Sequence, residues 1–283
     1  MLIAQITDLH IGFEPGNPDE PNRHRLDATL ARINQGVNRP DIMLVTGDLV
    51  DRGDIVSYER LRDALSAVRV PVYPIMGNHD DRTNFSAVFP YVPVVDGFVQ
   101  YCVALDGLRL ILLDTLEPGR HGGGFCETRA GWLAARLDED PDTPTVIVMH
   151  HPPFEAGIAW MDVDQAEPWV LRFGKTIAGH NQLLAIWCGH LHRPIAACWQ
   201  GVPVNVCGST SAELTLDVNA IDPEQPDGRS MVIDGAPALA IHRWQAGTMV
   251  TLFDVVEAFP VLARFDAKMQ GLVRHLLDER LHE

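Results

Sequence analysis

Five short clusters of polar residues in this 283-residue chain contain the side-chain types that bind metal ions. Each cluster directly follows a run of apolar residues. The carboxylate, imidazole and carboxamide candidates are Asp8, His10, Asp48, Asn78, His150, His190 and His192. In Asp8-x-His10 and His190-x-His192, the alternate spacing lets the end of an extended strand present both side chains on one side. We therefore expect oxygen and nitrogen ligands to converge at one place in the fold.

The number of candidate ligands indicates two metal ions rather than one, because a zinc-like ion takes about four ligands. We assign to the first ion Asp8, His10 and His192. We assign to the second ion Asn78, His150 and His190, with Asp48 bridging both. Mixed nitrogen and oxygen ligation suits iron, manganese, zinc or cobalt. Two dications and two carboxylates leave a formal charge of about +2, which would attract an anionic substrate.

Residues beside the candidate ligands have several interpretations. Asp51 and Arg52 end the second cluster, and we expect them to orient that loop rather than to take part in chemistry. His151 could contact the substrate or support a neighbouring ligand. Trp160, in the loop 154–165, could stack on a base or only cover the surface. Histidines that we interpret as surface or packing residues are His24, His121, His180, His242, His275 and His282.

The apolar runs before the clusters predict buried strands, because they are short and rich in β-branched residues. These runs are 2–6, 42–45, 72–76, 145–149 and 183–188. Two further runs flank Asp106-Gly107, at 98–105 and 108–113, and predict a hairpin. Open α/β sheets place their sites at the carboxyl ends of strands, so the clusters should line one sheet edge.

Apolar residues at helical spacing separate these runs and predict helices packed on the sheet. One helical stripe covers 26–37, and Ser57 opens another. Thr128 is expected to cap a third helix, and Asp80 and Asp81 are expected to cap a fourth. The sum predicts a layered α/β domain with a mixed sheet.

The character of the chain changes after residue 207, so we divide it into 1–207 and 208–283. The second part begins with a polar, acidic loop and continues with short predicted strands at 230–234, 238–242 and 248–253. Residues 261–282 predict an amphipathic helix, for which packing on the core is the favoured interpretation. We expect this part to complete the fold, with a cap or a dimerisation element as alternatives.

Composition excludes several classes of protein. The net charge of −16 opposes binding to nucleic-acid polymers. Five scattered cysteines without a CxxC pair indicate reduced thiols in the cytoplasm. No apolar run approaches the roughly 18 residues that span a bilayer, so no membrane association is expected. We also find no signal peptide.

The clusters resemble the signature of the calcineurin-like metallophosphoesterase superfamily, which reads D-x-H, G-D-x-x-D-R, G-N-H-[DE], H and G-H-x-H. All five elements occur in this order over residues 1–207. Within the superfamily the chain is most similar to bacterial class III cyclic-nucleotide phosphodiesterases and glycerophosphodiesterases. The early Asp8 and the sequence His150-His151-Pro152-Pro153 support that similarity. The resemblance implies a four-layer α/β/β/α sandwich with mixed sheets and a small C-terminal appendage.

The resemblance also implies an activity, namely hydrolysis of small phosphodiesters by a hydroxide that bridges two metal ions. His79 would be the general acid that protonates the leaving group. Alternatives are a phosphomonoesterase or a pyrophosphohydrolase of the same superfamily, or a scaffold without catalysis. Relatives suggest a homodimer or a higher assembly.

Overall fold

Two mixed β-sheets lie face to face in the computed structural model, which describes residues 1–281. The strands are β1 (Leu2–Ile6), β2 (Ile42–Thr46), β3 (Val72–Ile75), β4 (Tyr101–Leu105), β5 (Leu108–Leu112), β6 (Thr145–Val148), β7 (Leu183–Cys188), β8 (Ile195–Trp199), β9 (Val202–Val206), β10 (Glu213–Leu214), β11 (Val232–Ile233), β12 (Ala238–Gln245) and β13 (Thr248–Val255). The first sheet has the order β13-β12-β1-β2-β3, and the second has the order β4-β5-β6-β7-β9-β8. Strands β10 and β11 form a separate ribbon.

Helices cover the outer faces of the two sheets, except for the last helix, which is exposed. They are α1 (Pro21–Gln35), α2 (Ile55–Leu65), α3 (Arg82–Val88), α4 (Glu127–Glu139), α5 (Pro168–Ile177) and α6 (Gln270–Asp278), with a 3-10 turn over Glu279–Leu281. Alternate residues of β5 show the layering. Leu110 and Leu112 pack with the first sheet and helices α1 to α3, whereas Ile111 packs with α4 and α5. The predicted α/β/β/α sandwich with mixed sheets is therefore confirmed.

The sequence located the central strands closely. The predicted runs 2–6 and 183–188 coincide with β1 and β7, and 42–45, 72–76 and 145–149 each end within one residue of the observed strand. The hairpin is also confirmed, because β4 pairs with β5 in antiparallel register. The hairpin of β8 and β9 was not predicted. Its strands are half exposed, and Pro203 and Asn205 interrupt the apolar sequence of β9.

Two predicted helix starts are wrong by a few residues. Helix α2 begins at Ile55 rather than Ser57, because the Asp54 side chain accepts from the Ser57 N–H and caps the helix. Helix α4 begins before Thr128, since Ala130 N already donates to Cys126 O.

The chain beyond residue 237 contributes to the first sheet but ends in exposed structure. Strand β12 pairs antiparallel with β1, and β13 forms the sheet edge. The predicted helix over 261–282 is reduced to α6, which buries no residue, so the core-packing interpretation is wrong. Leu262 and Phe265 are 97% and 74% exposed because no described element packs on them. Within residues 1–281, no helix combines the length and apolarity needed to cross a membrane.

His242 joins the two sheets as a buried neutral imidazole. Its ring stacks on Trp187 at a centroid distance of 3.6 Å. Its Nε2 faces Gln5 Oε1 and its Nδ1 faces Thr251 Oγ1, both at 2.9 Å. Burial lowers the pKa of His242 to about 3. The packing interpretation of this histidine is therefore confirmed.

Stability should fall in acid because of His242. The unfolded chain protonates this residue near pH 6.5, whereas the folded chain resists protonation down to about pH 3. The unfolded state therefore binds more protons between these values, and the free energy of unfolding should drop by up to about 1.4 kcal/mol per pH unit there. Urea unfolding of wild type and His242→Gln from pH 7.5 to 4.5 measures this difference. The variant should show the shallower dependence. Equal slopes in both proteins, with exposed His275→Gln as control, would contradict the assignment.

Candidate metal centre

The five polar clusters meet where strand ends of both sheets come together. The site residues are Asp8 and His10 after β1, Asp48 after β2, Asn78 and His79 after β3, His150 and His151 after β6, and His190 and His192 after β7. Strands β1, β2 and β3 are parallel, so the first sheet brings three clusters to one edge. Strands β6 and β7 are also parallel and supply the two histidine clusters from the second sheet.

One group of ligand atoms comprises Asp8, His10, Asp48 and His192, whose donor atoms all lie within 4.8 Å of one another. The Nε2 atoms of His10 and His192 are 3.3 Å apart. His192 Nε2 is 3.4 Å from Asp8 Oδ1, and His10 Nε2 is 3.6 Å from Asp48 Oδ2. This group contains the three residues assigned to the first ion and the proposed bridging carboxylate.

A second group comprises His150, His151 and His190, also within 4.8 Å of one another. Asp48 connects the groups, because its Oδ2 is 3.4 Å from His150 Nε2. The Oδ1 atom of Asn78 is buried and has no hydrogen-bond partner. The structure thus brings together His150 and His190, two of the three residues assigned to the second ion, and adds His151 to them.

Hydrogen bonds at Nδ1 fix the direction in which several imidazoles present Nε2. His150 Nδ1 donates to Thr46 O at 2.7 Å, and His192 Nδ1 donates to Ala212 O at 2.8 Å. A carbonyl can only accept, so Nδ1 carries the hydrogen and Nε2 presents a lone pair. His10 Nδ1 lies 3.3 Å from Asp51 Oδ1, the carboxylate–histidine arrangement common behind metal ligands.

The backbone that carries these ligands adopts the left-handed region. Among residues 1–281, eight residues other than glycine have positive φ, and five of them are Asp8, His10, Asp48, His190 and His192, with φ between 46° and 72°. Such conformations cost about 1 kcal/mol or more each and persist only where the surroundings enforce them. Their concentration at this edge indicates that ligand placement outweighs backbone preference there.

Two glycines allow the close packing behind Asp48. Gly47 has φ of +93°, and a Cβ there would overlap the imidazole of His150. A Cβ on Gly77 would overlap the backbone nitrogen and Oδ1 of Asp48. Strand ends from three clusters therefore approach more closely than side-chain-bearing residues would permit.

The charge of the candidate ligands favours the binding of metal ions. Asp8 and Asp48 are 0% and 2% exposed, and among residues 1–281 no lysine or arginine forms an ion pair with either. Burial would raise the pKa of Asp48, but His150 and His10 outweigh it and hold this pKa well below its usual range. Against the effect of burial, Asp48 and Asp8 raise the pKa of His150 to about 9. Two buried carboxylates thus lack permanent counter-charge, which divalent cations would supply.

Asp51 and Arg52 border the first group in different ways. His79 Nδ1 donates to the carbonyl oxygen of Asp51 at 2.8 Å, while the Asp51 carboxylate faces His10. Asp51 therefore fixes two histidines. The side chain of Arg52 is 61% exposed and reaches only Asp51, at 3.5 Å.

Asp80 fastens two of the ligand loops together, a role that sequence reasoning missed. Its carboxylate accepts from the backbone N–H of Leu49, Val50 and Gly77 and from the Tyr58 hydroxyl, at 2.8 to 3.3 Å. The expectation that Asp80 caps a helix is wrong, because its carboxylate oxygens accept hydrogen bonds from the backbone of these loops instead. Asp81 alone caps α3, accepting from Asn84 N at 2.8 Å.

His121 lies in the site, which corrects its interpretation as a surface or packing residue. Its Nδ1 is 3.4 Å from Asn78 Nδ2, and its ring centroid is 4.8 Å from that of His190. In the sequence, the run Gly122-Gly123-Gly124 directly after His121 indicates a loop that can pack closely against other residues. A Cβ on Gly123 would crowd His151, so this loop can pack directly over the site. His282, by contrast, lies outside the described residues.

His151 and Trp160 line a cavity of about 150 Å³ on the His190 side of the centre. His151 Nδ1 is 2.8 Å from Thr115 Oγ1, whereas its buried Nε2 has no partner. Arg120 also borders this cavity and pairs with Glu167 at 3.1 Å. Charged side chains therefore border this cavity together with apolar ones, among them Phe154 and Trp169.

Comparison with known proteins agrees with the metal-binding geometry of this site. A family model described as calcineurin-like phosphoesterase matches residues 1–194, which include all seven candidate ligands. A "Probable cyclic nucleotide phosphodiesterase" of Rhodopseudomonas palustris is 37% identical over 238 residues, covering 78% of this chain and 82% of that protein. A "Probable glycerophosphodiester phosphodiesterase" of Arcobacter nitrofigilis is 28% identical over 249 residues, covering 86% and 89%.

A solved structure shares the fold at low sequence identity. The dimetal phosphatase from Danio rerio superposes with a TM-score of 0.63 at 14% identity, covering 91% of this chain and 96% of that one. The match of the family model over more than half of the chain and the 37% identity of a bacterial relative lead to one conclusion. This chain belongs to the calcineurin-like phosphoesterase family.

Proposed function

We propose that the protein is a phosphodiesterase that depends on two metal ions and hydrolyses small phosphodiesters. The observation that carries this proposal is the position of Asp48, whose carboxylate lies between two groups of metal-ligating atoms. Membership of the phosphoesterase family supports the reaction type. Relatives named as cyclic-nucleotide and glycerophosphodiester phosphodiesterases support diesters as the substrate class.

The proposed ligands follow the two groups at the strand ends. The first ion would be held by Asp8, His10 and His192. The second would be held by Asn78, His150 and His190, with Asp48 shared between them. Ions at such positions supply Lewis acidity toward phosphoryl oxygens and lower the pKa of bound water. Iron, manganese, zinc and cobalt all remain candidates for these positions.

His79 is the proposed proton donor to the leaving group. Its Nδ1 hydrogen is used on Asp51 O, so the proton that moves must come from Nε2. The side chain is 35% exposed and its ring lies 4.6 Å from that of His10. His79 thus stands beside the first ligand group and remains accessible from the cavity.

Other residues would hold the substrate rather than transfer protons. His151 presents a buried, unpartnered Nε2 at the second ligand group, which suits contact with a substrate oxygen. Trp160 borders the same cavity and is proposed as a wall for one substituent. Asp51 orients His10 and His79, and Arg52 supports that loop through Asp51.

Apart from the metal ions themselves, the charged side chains around the centre favour a diester over a monoester. A phosphodiester carries one negative charge, whereas a monoester carries nearly two near neutral pH. The cavity beside His79 is lined by no lysine or arginine. On the other side, Arg120 is already paired with Glu167. A monoester dianion would therefore find no free basic side chain in either cavity, and the net charge of −16 disfavours polymeric nucleic acid.

We also propose a homodimer or higher assembly located in the cytoplasm. Apolar side chains are exposed along β13 and the C-terminal segment, including Leu252, Phe265 and Leu272 at 50% or more. A surface of this kind is typical of an association face. The five cysteines are unpaired, as in a reducing compartment.

Metal removal should abolish diester hydrolysis, and added Mn²⁺ should restore it. We expect the restored protein to hydrolyse bis(p-nitrophenyl) phosphate far faster than p-nitrophenyl phosphate, because the cavities offer no basic partner for a dianion. Both substrates release the same chromophore, so initial rates compare directly. Dominant monoester turnover would overturn the substrate class. Absence of turnover with each of the four candidate metals would favour a scaffold.

Substitution His79→Ala should lower kcat by about 10²- to 10⁴-fold for diesters with poor leaving groups, the range typical of general acid catalysis. The loss should be much smaller for bis(p-nitrophenyl) phosphate, since nitrophenolate leaves without protonation. The measurement is kcat for this ester and for glycerophosphoethanolamine with the same metal-loaded variant. An equal loss on both substrates would refute the acid role.

A further inference from the structure

Phe13 is an exposed aromatic residue that the fold holds firmly beside the metal centre. It follows His10 by three residues, and 59% of its surface is exposed. The buried carboxylate of Glu20 accepts from the backbone N–H groups of Gly12 and Glu14, at 2.5 and 3.0 Å. Phe13 N also donates to His10 O at 3.2 Å. The backbone on both sides of the ring is therefore fixed, although the ring itself packs on little.

This ring forms one side of a cavity of about 420 Å³, distinct from the cavity at Trp160. Leu214, Val232 and Ala212 line it as well. On the metal side it is bordered by His10, His79 and His192. The volume falls within the usual range for small-molecule sites, which is roughly 300–1,000 Å³.

The β10–β11 ribbon carries Leu214 and Val232 and is anchored to the catalytic clusters. Leu214 pairs with Val232 in antiparallel register. Arg193, which follows His192, donates to Leu214 O at 2.6 Å and pairs with Glu213 at 2.7 Å. Val232 is 54% exposed, so its side chain is available to a ligand.

The lining of this cavity suits a ring better than a polar headgroup. Its only carboxylate is Asp51, which is committed to His10 at 3.3 Å and Arg52 at 3.5 Å. Ser211 Oγ is engaged with Ser209 Oγ at 3.0 Å. The Asn22 amide also lines the cavity, and its Nδ2 donates to His10 O at 3.0 Å. An ammonium group would find no free anion here, and a polyol would find few partners. An aromatic substituent could instead stack on an aromatic side chain.

We propose that this cavity, the ring subsite, binds the base of a cyclic nucleotide by stacking on Phe13 against Val232. The inference rests on the proposed function and narrows its substrate class from small phosphodiesters to those with a flat, apolar ring. The ring subsite adjoins His79, so a base held there leaves the phosphate at the metal centre. The cavity at Trp160 also has aromatic lining residues, Phe154 and Trp169, but its volume of about 150 Å³ is smaller, and the charged side chains of Arg120 and Glu167 border it.

The test compares two diesters with the Mn²⁺-loaded enzyme and its Phe13→Ala variant. For 3′,5′-cyclic AMP, kcat/KM should fall by roughly 5- to 100-fold, mostly through KM, as expected for loss of base stacking. For glycerophosphoethanolamine it should change by less than about twofold, since that substrate has no ring to stack. Phe13→Trp should retain cyclic AMP turnover, which shows that the loop stays folded. Trp160→Ala tests the competing cavity, and Tyr91→Ala, an exposed aromatic residue that lines neither cavity, is the matched control.

Product inhibition gives a second readout that does not depend on the leaving group. Phe13→Ala should weaken inhibition by adenosine monophosphate by the same factor and leave inhibition by inorganic phosphate unchanged. Equal effects on both diesters, or a larger effect of Trp160→Ala than of Phe13→Ala on cyclic AMP, would overturn the ring subsite. The proposed function fails separately, if the wild type hydrolyses neither diester nor bis(p-nitrophenyl) phosphate.

Discussion

The structure depends on the burial of two carboxylates, Asp8 and Asp48, without a lysine or arginine beside them among the described residues. Isolated charges in a protein interior are costly unless they are paired or bind cations. Here the partners are imidazoles. In particular, His150 Nε2 lies 3.4 Å from Asp48 Oδ2. This arrangement accounts for the convergence of five strand ends and for the presence of metal-ligating atoms on both sides of one carboxylate.

The backbone around these carboxylates adopts unfavourable conformations that place the ligand side chains. Five ligand residues adopt positive φ, and Gly77 lets one loop lie directly against Asp48. Asp80 ties the second and third clusters together through backbone N–H groups. Glu20 likewise holds the loop that carries Phe13, because its carboxylate accepts hydrogen bonds from backbone N–H groups of that loop. Buried acceptors thus hold every loop that reaches the centre from the first sheet.

The central strands and the ligand clusters were predictable because both are local in sequence. An apolar run such as 183–188 followed by Gly189-His190 marks a strand and its functional end together. The position of His121 was harder to predict, because its glycine run indicates a loop but not the tertiary packing over His151 that brings the loop to the site. The same holds for Phe13, whose exposure and rigidity depend on Glu20. The helix expected over 261–282 is instead longer than the observed one. An amphipathic stripe forms a stable helix only where a partner surface covers its apolar face.

Electron paramagnetic resonance of the Mn²⁺-loaded protein tests whether two metal ions share Asp48. Two manganese ions bridged by one carboxylate should give the spectrum of a spin-coupled pair at two ions per chain. Substitution Asp48→Asn should remove that coupling. A spectrum of isolated Mn²⁺ in the fully loaded wild type, or saturation at one ion per chain, would contradict the shared carboxylate.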